Sequence, residues 1–387
     1  MSIFNSLGSN YDFKFVLQAF FAGGKPDLAK FLEEKYGGKV TLVYKGREAI
    51  ELALKILQLP KGSYVGICGF TCFAVYEAIK KASLNVEYLD IEKGELNFSP
   101  EILQKKLNEN PKLNAVIIQN TLGYPCPIEE ISKICQENKI ALIEDLAHSV
   151  GSVYENGKEA GSMGDFVALS FSQDKMIDAV SGGALVTNIP SDVHLEKIPI
   201  KKQIIDRLYP FFSYIIRKSY PFGLGKILHF VFRNLKLLSG PMDGGEGIRE
   251  LPAWYGHLIA SQFKNLNDNL KHRKIIASVF SKTINPKVLS PKIVNKIYLS
   301  SNLRFPIFVN NRANLIKFLA EKGIFVSDIW YDAPISPKKY LTQTDYASQC
   351  PNSELAAGEI VNLPTHINID EKGALKIAQA INQWLTQ

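Results

Sequence analysis

Short apolar runs alternate with amphipathic helical patterns over the first half of the chain, from Gly46 to about Asn188. The first helical pattern is Glu48–Leu59, where apolar residues recur three and four positions apart before Pro60 and Gly62. Six apolar runs have the length expected of buried strands. They are Tyr64–Cys68, Val86–Ile91, Ala115–Gln119, Ile140–Ile143, Val167–Phe171 and Ala184–Thr187. This alternation predicts an α/β fold with a mostly parallel central sheet, which binds ligands in the loops at the carboxyl ends of its strands.

The last third of the chain predicts a smaller C-terminal α+β domain. Its elements are one long helix over 253–283, a strand at Leu303–Val309, a helix at Arg312–Lys322, a strand at Ile324–Ser327 and a final helix from about Glu371 to Leu385. The pattern therefore divides the chain into three parts. We expect a large domain in residues 1–196, an insertion in residues 197–250, and a linking helix with the small domain in residues 251–387.

The segment 197–240 fits neither pattern. Eight aromatic residues alternate there with Lys and Arg, and nine basic residues stand against the single acid Asp206. This composition is typical of an interfacial helix, whose basic residues face anionic headgroups while its rings enter the acyl boundary. It is equally typical of a helical insertion that packs on its own protein or on a partner subunit, with Lys and Arg stems covering apolar surface. The sequence leaves both interpretations open.

Composition and charge narrow the class of protein. The chain has 387 residues, of which 46% are hydrophobic and 21% charged, and this balance excludes a disordered or low-complexity protein. The formal charge of +7 is concentrated in the segment 197–240, so the rest is close to neutral and a nucleic-acid partner is disfavoured. No apolar stretch reaches the roughly 18 residues of a membrane span, and no secretory signal pattern opens the chain. The five cysteines lack zinc-site spacing. We therefore expect a cytoplasmic protein without a metal, with possible contact at the inner membrane face.

Three polar clusters lie where an α/β enzyme places its active-site loops. Asp145 ends an apolar run and His148 follows it, although an aspartate there could also be a helix cap. Lys175 follows the run that contains Ser170, and a buried lysine could form a Schiff base with a carbonyl, whereas most loop lysines are solvated. Gly46 opens the first helix, where an anion such as phosphate could bind, although a plain turn is commoner. Their order along the chain strengthens the combined interpretation.

The combined motifs resemble the DegT/StrS family of sugar aminotransferases, which are pyridoxal-phosphate enzymes of the aspartate aminotransferase fold. The motifs that carry the resemblance are Gly46-Arg47-Glu48-Ala49-Ile50-Glu51-Leu52-Ala53-Leu54, Ile143-Glu144-Asp145-Leu146-Ala147-His148, Gly161-Ser162-Met163-Gly164-Asp165, Ser170-Phe171 with Lys175, Phe305-Pro306-Ile307, Gly323-Ile324 and Leu363-Pro364-Thr365-His366. The resemblance covers nearly the whole chain outside residues 197–240. Its specificity comes from several spaced motifs in the right order.

The resemblance implies a role for each matching residue. Lys175 would hold pyridoxal 5′-phosphate and move the proton, and Asp145 would pair with the pyridine nitrogen. His148 would lie against the ring or near its 3′-oxygen, and the backbone at Gly46 and Arg47 with the hydroxyl of Ser170 would bind the phosphate. The implied reaction moves an amino group from an amino-acid donor, usually glutamate, to a keto-sugar that is nucleotide-activated. The implied context is a homodimer in polysaccharide or glycoconjugate biosynthesis.

Three features of the sequence depart from the family pattern. Arg47 replaces a small hydroxyl residue and could reach the phosphate or a substrate carboxylate, and Cys72 replaces an aromatic that stacks on the cofactor. Phe73 or Phe70 could supply the stacking ring instead. The family's Asn-x-Arg, which reaches a phosphate across the dimer, is not evident, and Arg249 stands near its place. A lipid-linked or other non-sugar carbonyl substrate, and a non-catalytic or regulatory member of the family, therefore remain alternatives.

Overall fold

The computed structural model describes residues 2–24, 27–190, 193–243, 245, 247–326 and 330–387. The helices are α1 (Phe13–Phe21), α2 (Leu28–Tyr36), α3 (Gly46–Ile56), α4 (Phe73–Lys81), α5 (Pro100–Glu109), α6 (Ile128–Asn138), α7 (Ile200–Ser219), α8 (Leu224–Asn234), α9 (Ala253–Lys264), α10 (Leu266–Thr283), α11 (Pro291–Asn295), α12 (Arg312–Glu321), α13 (Pro351–Glu359) and α14 (Glu371–Trp384). The strands are β1 (Ile3–Phe4), β2 (Lys39–Val43), β3 (Tyr64–Cys68), β4 (Thr71–Cys72), β5 (Asn85–Leu89), β6 (Leu113–Ile118), β7 (Ala141–Asp145), β8 (Phe166–Ser170), β9 (Gly183–Thr187), β10 (Arg304–Phe308), β11 (Ile324–Phe325), β12 (Ile335–Ser336) and β13 (Ile360–Pro364).

The central sheet has seven strands in the order β2-β9-β8-β7-β6-β3-β5. Strands β5, β3, β6, β7 and β8 are parallel, and β9 runs antiparallel to both of its neighbours. The predicted α/β class with a mostly parallel sheet is therefore confirmed. Alternate side chains of β6 lie in different apolar clusters, with Val116 and Ile118 in one and Ala115 and Ile117 in the other. Both faces of the sheet are thus buried, as expected when helices cover both sides.

The small domain is built on the antiparallel pair β10 and β13. Helices α10, α12 and α14 contribute to its apolar cluster, and β1 pairs with β11, which returns the N-terminus to this domain. The prediction of one helix over 253–283 is wrong, because the helix is interrupted at Asn265, between α9 and α10. Asn265 has φ −97° and ψ 5°, a turn that leaves the apolar spacing on both sides intact. The predicted strand at Ile324–Ser327 is β11, and Ser327 lies outside the described residues.

The insertion forms two helices, of which α7 packs on the N-terminal helix α1 and α8 packs on α7. Rings of α7 contact the α1 region, with Phe211 against Phe20 at 5.5 Å between centroids, and Phe212 packs on Phe232 of α8 at 4.6 Å. Pro210 lies within α7, which continues through it. None of the helices in the described part of the chain is long and apolar enough to cross a membrane. The ring contacts show that the inner faces of this pair of helices pack on the chain's own surface.

Candidate active site

One pocket brings together the carboxyl ends of β7 and β8 and the beginning of α3. It is lined by the predicted site residues Gly46, Arg47, Cys72, Asp145, His148, Ser170 and Lys175. Parallel neighbouring strands end at the same edge of a sheet, which is why residues from separate motifs converge there. Phe73 does not line this pocket: its ring stacks on Tyr340 with 4.8 Å between centroids. Phe70 stacks on Tyr331 at 4.5 Å.

Lys175 and His148 are in direct contact. The Nζ atom of Lys175 lies 3.1 Å from Nε2 of His148 and 4.9 Å from the centroid of the Trp330 ring. Burial lowers the pKa of Lys175 below its ordinary value. Burial, together with the positive charge of Lys175, holds the pKa of His148 well below its ordinary value. The imidazole is therefore neutral, and the lysine is displaced toward its neutral form.

Hydrogen bonds to the other imidazole nitrogen fix the tautomer of His148. The N–H of Leu122 donates to Nδ1 at 3.2 Å, and the hydroxyl of Tyr331 lies 3.4 Å from the same atom. Gln119 donates to that hydroxyl at 2.8 Å, which leaves the Tyr331 proton free to point at Nδ1. Since Nδ1 accepts, the proton of the neutral ring is on Nε2. In this tautomer the imidazole N–H can donate to Lys175 when its amine is neutral and carries a lone pair.

Asp145 is a buried carboxylate at the end of β7. Its Oδ1 accepts a hydrogen bond from the N–H of Ala147 at 2.9 Å. Burial raises the pKa of Asp145 to about 6, although the Ala147 N–H and the charge of Lys175 both act in the opposite direction. A carboxylate held in this way gains stability when a cationic group comes beside it. Asp145 is thus a candidate partner for a protonated nitrogen.

The opposite end of the pocket presents hydrogen-bond donors at the beginning of α3. Gly46 lies so close to β8 that a Cβ there would be 2.5 Å from the Cβ of Ser170. The hydroxyls of Ser170 and Ser172 face the pocket without a partner in the described part of the chain. Lys45, the residue before the helix, also lines the pocket, and its buried Nζ has no hydrogen-bond partner among the described residues. These groups can bind an anion.

Two arginines near this end are already paired. Arg47 forms an ion pair with Glu77 and donates to the carbonyl of Pro241 at 2.9 Å. Arg249 donates through Nε to Glu48 at 2.8 Å and pairs with it again through a second nitrogen. The expected use of the Arg47 guanidinium for phosphate or substrate would require it to leave Glu77. Arg47 instead ties α3 to α4 and to the end of the insertion.

The sequence-based reasoning missed three pocket or near-pocket residues. Gln119 follows β6 directly, so the rule that sites lie at strand ends could have found it. Trp330 stacks on His148 with 5.5 Å between ring centroids, and no sequence motif predicts this contact. Lys45 stands beside the predicted helix start, but only its burial and lack of partner single it out.

The insertion reaches the pocket through its C-terminal end. Pro241 and Met242 line the pocket, and Gln173 donates to the carbonyl of Ser239 at 2.9 Å. Lys202 of α7 lies 2.9 Å from Asp206 and 2.8 Å from Asp243. These contacts show that the insertion borders the site.

Within the described ranges, no group of His, Cys, Asp and Glu side chains is arranged to hold a metal ion.

Comparison with known proteins gives one family. The model of the DegT/DnrJ/EryC1/StrS aminotransferase family matches residues 26–198 and 253–382, which leaves out most of the insertion. The chain is 32% identical over 171 residues to a GDP-perosamine synthase of Vibrio cholerae, covering 44% of this chain and 44% of that protein. That alignment spans less than half of the relative's own length. Over 362 residues, the chain is 24% identical to a GDP-perosamine synthase of Escherichia coli O157:H7, covering 92% of this chain and 88% of the relative.

A solved structure supports the fold over nearly the whole chain. The crystal structure of DesV from S. venezuelae superimposes with a TM-score of 0.71 at 18% sequence identity. The superposition covers 97% of this chain and 94% of DesV. The fold predicted from the motifs, that of the pyridoxal-phosphate aminotransferases, is therefore confirmed.

Proposed function

The chain belongs to the DegT/DnrJ/EryC1/StrS aminotransferase family, and we propose that it is a pyridoxal-phosphate-dependent aminotransferase. Its reaction moves an amino group from an amino acid, with glutamate as the expected donor, to a keto-sugar carried on a nucleotide. One observation carries the proposal. A single pocket combines the buried amine of Lys175, 3.1 Å from Nε2 of His148, with the buried carboxyl of Asp145 and an anion-binding end at Gly46.

The residues of the pocket fit pyridoxal phosphate at both ends. At one end, the missing side chain of Gly46 leaves space at the start of α3, and the hydroxyls of Ser170 and Ser172 have no other partner among the described residues. At the other end, Asp145 would pair with the protonated pyridine nitrogen. Burial disfavours the charged form of this carboxyl and raises its pKa, so a cation beside it would be stabilising. Cys72 also borders the pocket and would lie beside the bound group.

The bound cofactor supplies an electron sink for the carbon from which a proton is removed. Lys175 would bind the cofactor through its amine and would then hold or return the proton at Nζ. Its burial and the hydrogen bond from His148 both favour the neutral amine that these tasks require. Asp145 would keep its negative charge beside the protonated pyridine nitrogen. Trp330, 4.9 Å from Lys175 Nζ, helps to exclude water from the amine.

The acceptor is inferred from the relatives. The two relatives described above are named GDP-perosamine synthases, and this name refers to an amino sugar linked to a nucleotide. A keto-sugar on a nucleotide is therefore the acceptor we propose, with polysaccharide or glycoconjugate biosynthesis as the context. The resemblance also supports a homodimer in the cytoplasm. Sedimentation of the purified chain tests the dimer directly.

We further propose that α8 contacts an anionic membrane surface. Leu224, Ile227, Val231 and Leu235 recur at spacings of three and four residues along one side of this helix, and all are exposed. Phe230 flanks them and is 66% exposed. Lys226 and Arg233 of α8, with Lys236 just after it, are exposed and provide charge complementary to acidic headgroups. This surface favours a membrane-associated substrate as the second candidate for the acceptor.

The cofactor and the reaction are tested separately. The purified chain is expected to take up pyridoxal phosphate with a change in its visible absorption, and Lys175→Ala to lose that change together with at least about 10²-fold in activity. Lys133→Ala, which alters an exposed lysine 3.9 Å from Glu137, is the matched control. Glutamate is expected to alter the absorption of the loaded wild type, and a nucleotide-linked keto-sugar to reverse it. A wild-type chain that takes up no cofactor contradicts the proposal.

A further inference from the structure

Lys45 is a buried cation that makes no direct contact with an acid among the described residues, although the charge of Asp206 acts on it. Its side chain is 1% exposed, and within the part of the chain that the structure describes its Nζ makes neither a hydrogen bond nor an ion pair. The Tyr44 ring lies 5.0 Å from Nζ, which gives only a cation–π contact. Burying an ammonium group in this way is costly unless an anion binds it. Burial accordingly lowers the pKa of Lys45 to about 8.

Asp206 is the acid whose charge most favours the protonated form of Lys45, but its carboxylate is held by other groups. Asp206 accepts hydrogen bonds from the hydroxyls of Tyr44 and Tyr255 at 2.5 Å each, and Lys202 lies 2.9 Å from its other oxygen. The remaining cations around the start of α3 are paired as well, Arg47 with Glu77 and Arg249 with Glu48. Lys45 is therefore the cation of this end of the pocket that stays available to a ligand, as far as the described residues show.

The position of Lys45 directs its charge to the phosphate end. It is the N-cap residue of α3, an eleven-residue helix, and it lines the same pocket as Ser170 and Ser172. An ammonium group, two hydroxyls and a helix N-terminus are the donors that a phosphate needs. Lys175 lines the same pocket with Asp145 and His148, so one ligand with a carbonyl and a phosphate can meet both lysines.

We propose that Lys45 binds the phosphate group of pyridoxal phosphate, so that a cation of the same chain neutralises this end of the site. The inference rests on the proposed function, because it assigns a further residue to that cofactor. A purely structural Lys45 would instead be held by its packing and by the Tyr44 ring.

The test compares two ligands that differ only in the phosphate. The dissociation constants of pyridoxal phosphate and of pyridoxal are measured by spectroscopic titration for the wild type, Lys45→Met and Lys45→Gln. Both variants are expected to bind pyridoxal phosphate about 10- to 100-fold more weakly, the range for a lost charge-assisted hydrogen bond, and to bind pyridoxal as the wild type does. Lys80→Met, which alters a lysine 3.6 Å from Asp345, is the matched control.

Inorganic phosphate gives a second measurement without the cofactor. It is expected to raise the melting temperature of the cofactor-free wild type and of Lys80→Met, and to leave that of Lys45→Met unchanged. Equal losses of affinity for pyridoxal phosphate and pyridoxal would overturn the assignment, as would an unaltered affinity for both. A wild type that binds neither ligand would contradict the proposed function instead, so the two failures can be told apart.

Discussion

Nε2 of His148 lies within hydrogen-bond distance of Nζ of Lys175, at 3.1 Å, although the two residues are 27 positions apart in the chain. The direction of this bond follows from Nδ1, which accepts from Leu122. A hydrogen bond that needs the lone pair of the lysine stabilises its neutral form. The bond therefore adds to the effect of burial and prepares the amine for reaction with a carbonyl.

Replacing the imidazole donor is expected to raise the pKa of Lys175. In His148→Phe the neutral amine loses a hydrogen bond worth about 1 kcal/mol, which corresponds to somewhat less than one pKa unit. The rise in the rate of cofactor uptake with pH should then occur at a higher pH, by up to about one unit. Rapid-mixing absorbance measurements between pH 6 and about 10 check this shift.

The conservative variant distinguishes hydrogen bonding from packing. His148→Gln retains a side-chain donor and is expected to keep the pH dependence of uptake closer to that of the wild type. If His148→Phe and His148→Gln shift the profile equally, the hydrogen bond from the imidazole is not what favours the neutral amine.

Asp145→Asn is expected to stabilise the cofactor-free protein at neutral pH. The pKa of Asp145 is about 6 in the folded protein and about 3.9 in an unfolded chain, so the folded state binds more protons between these values. Stability must therefore fall as pH rises through this window, by up to about 3 kcal/mol for this group. The asparagine variant lacks this loss.

Urea denaturation at several pH values checks the difference between the two proteins. The free energy of unfolding of Asp145→Asn minus that of the wild type should increase from pH 4 to pH 7 and level off above it, because the carboxyl is then fully ionised. Other carboxyl groups titrate equally in both proteins. A difference that does not change with pH would mean that burial of Asp145 imposes no such cost.

Gly46→Ala is expected to damage the anion-binding end of the pocket. The new Cβ would lie 2.5 Å from the Cβ of Ser170 and 2.8 Å from its hydroxyl oxygen, so the start of α3 must move. We expect a loss of about 1–3 kcal/mol in stability and weaker binding of inorganic phosphate. Thermal unfolding with and without phosphate measures both effects.

Gly358→Ala provides the matched glycine control. A Cβ at Gly358, in α13, meets nothing within 4 Å, so this variant is expected to be as stable as the wild type or up to about 1 kcal/mol more stable. Equal behaviour of the two alanine variants would contradict the close approach of Gly46 to β8.

The exposed side of α8 predicts binding to acidic lipid vesicles. The double variant with Ile227→Ser and Phe230→Ser removes two large side chains that are 61% and 66% exposed, and it should lose vesicle binding without a loss of stability. Co-sedimentation with vesicles containing phosphatidylglycerol measures this, with phosphatidylcholine vesicles as the neutral comparison. Leu355→Ser changes an exposed leucine on α13 and serves as the control. A wild type that stays in the supernatant with acidic vesicles would contradict the membrane contact.

Hydrophobic spacing alone predicted most of the large domain. Buried strands of a parallel sheet are short apolar runs, and the helices between them show a period near 3.6 residues, so both leave a mark in the sequence. The hydrophobic pattern of strand β2 is weaker, because β2 is an edge strand that begins exposed at Lys39 and becomes buried only at Val43. The break at Asn265 was also missed, since neither Gly nor Pro marks it.

Candidate chemistry was predictable where it follows a strand. Asp145 and Lys175 stand at or shortly after strand ends, and topology alone brings such residues to one edge of the sheet. The positions of the aromatic rings near the pocket were not predictable in this way. Phe73 packs on Tyr340, and the ring beside His148 is Trp330, which comes from a segment 182 positions away.

The sequence by itself determined the order of strands and helices and the residue types that reach the pocket, because periodicity and motif spacing are properties of neighbouring positions. Only the tertiary structure decided which cations remain unpaired. Arg47 meets Glu77 and Arg249 meets Glu48, contacts that join residues 30 and 201 positions apart. Lys45 stays buried without a hydrogen bond or an ion pair among the described residues, although the charge of Asp206 acts on it. A charge is compensated by its neighbours in space, and linear sequence does not specify those neighbours.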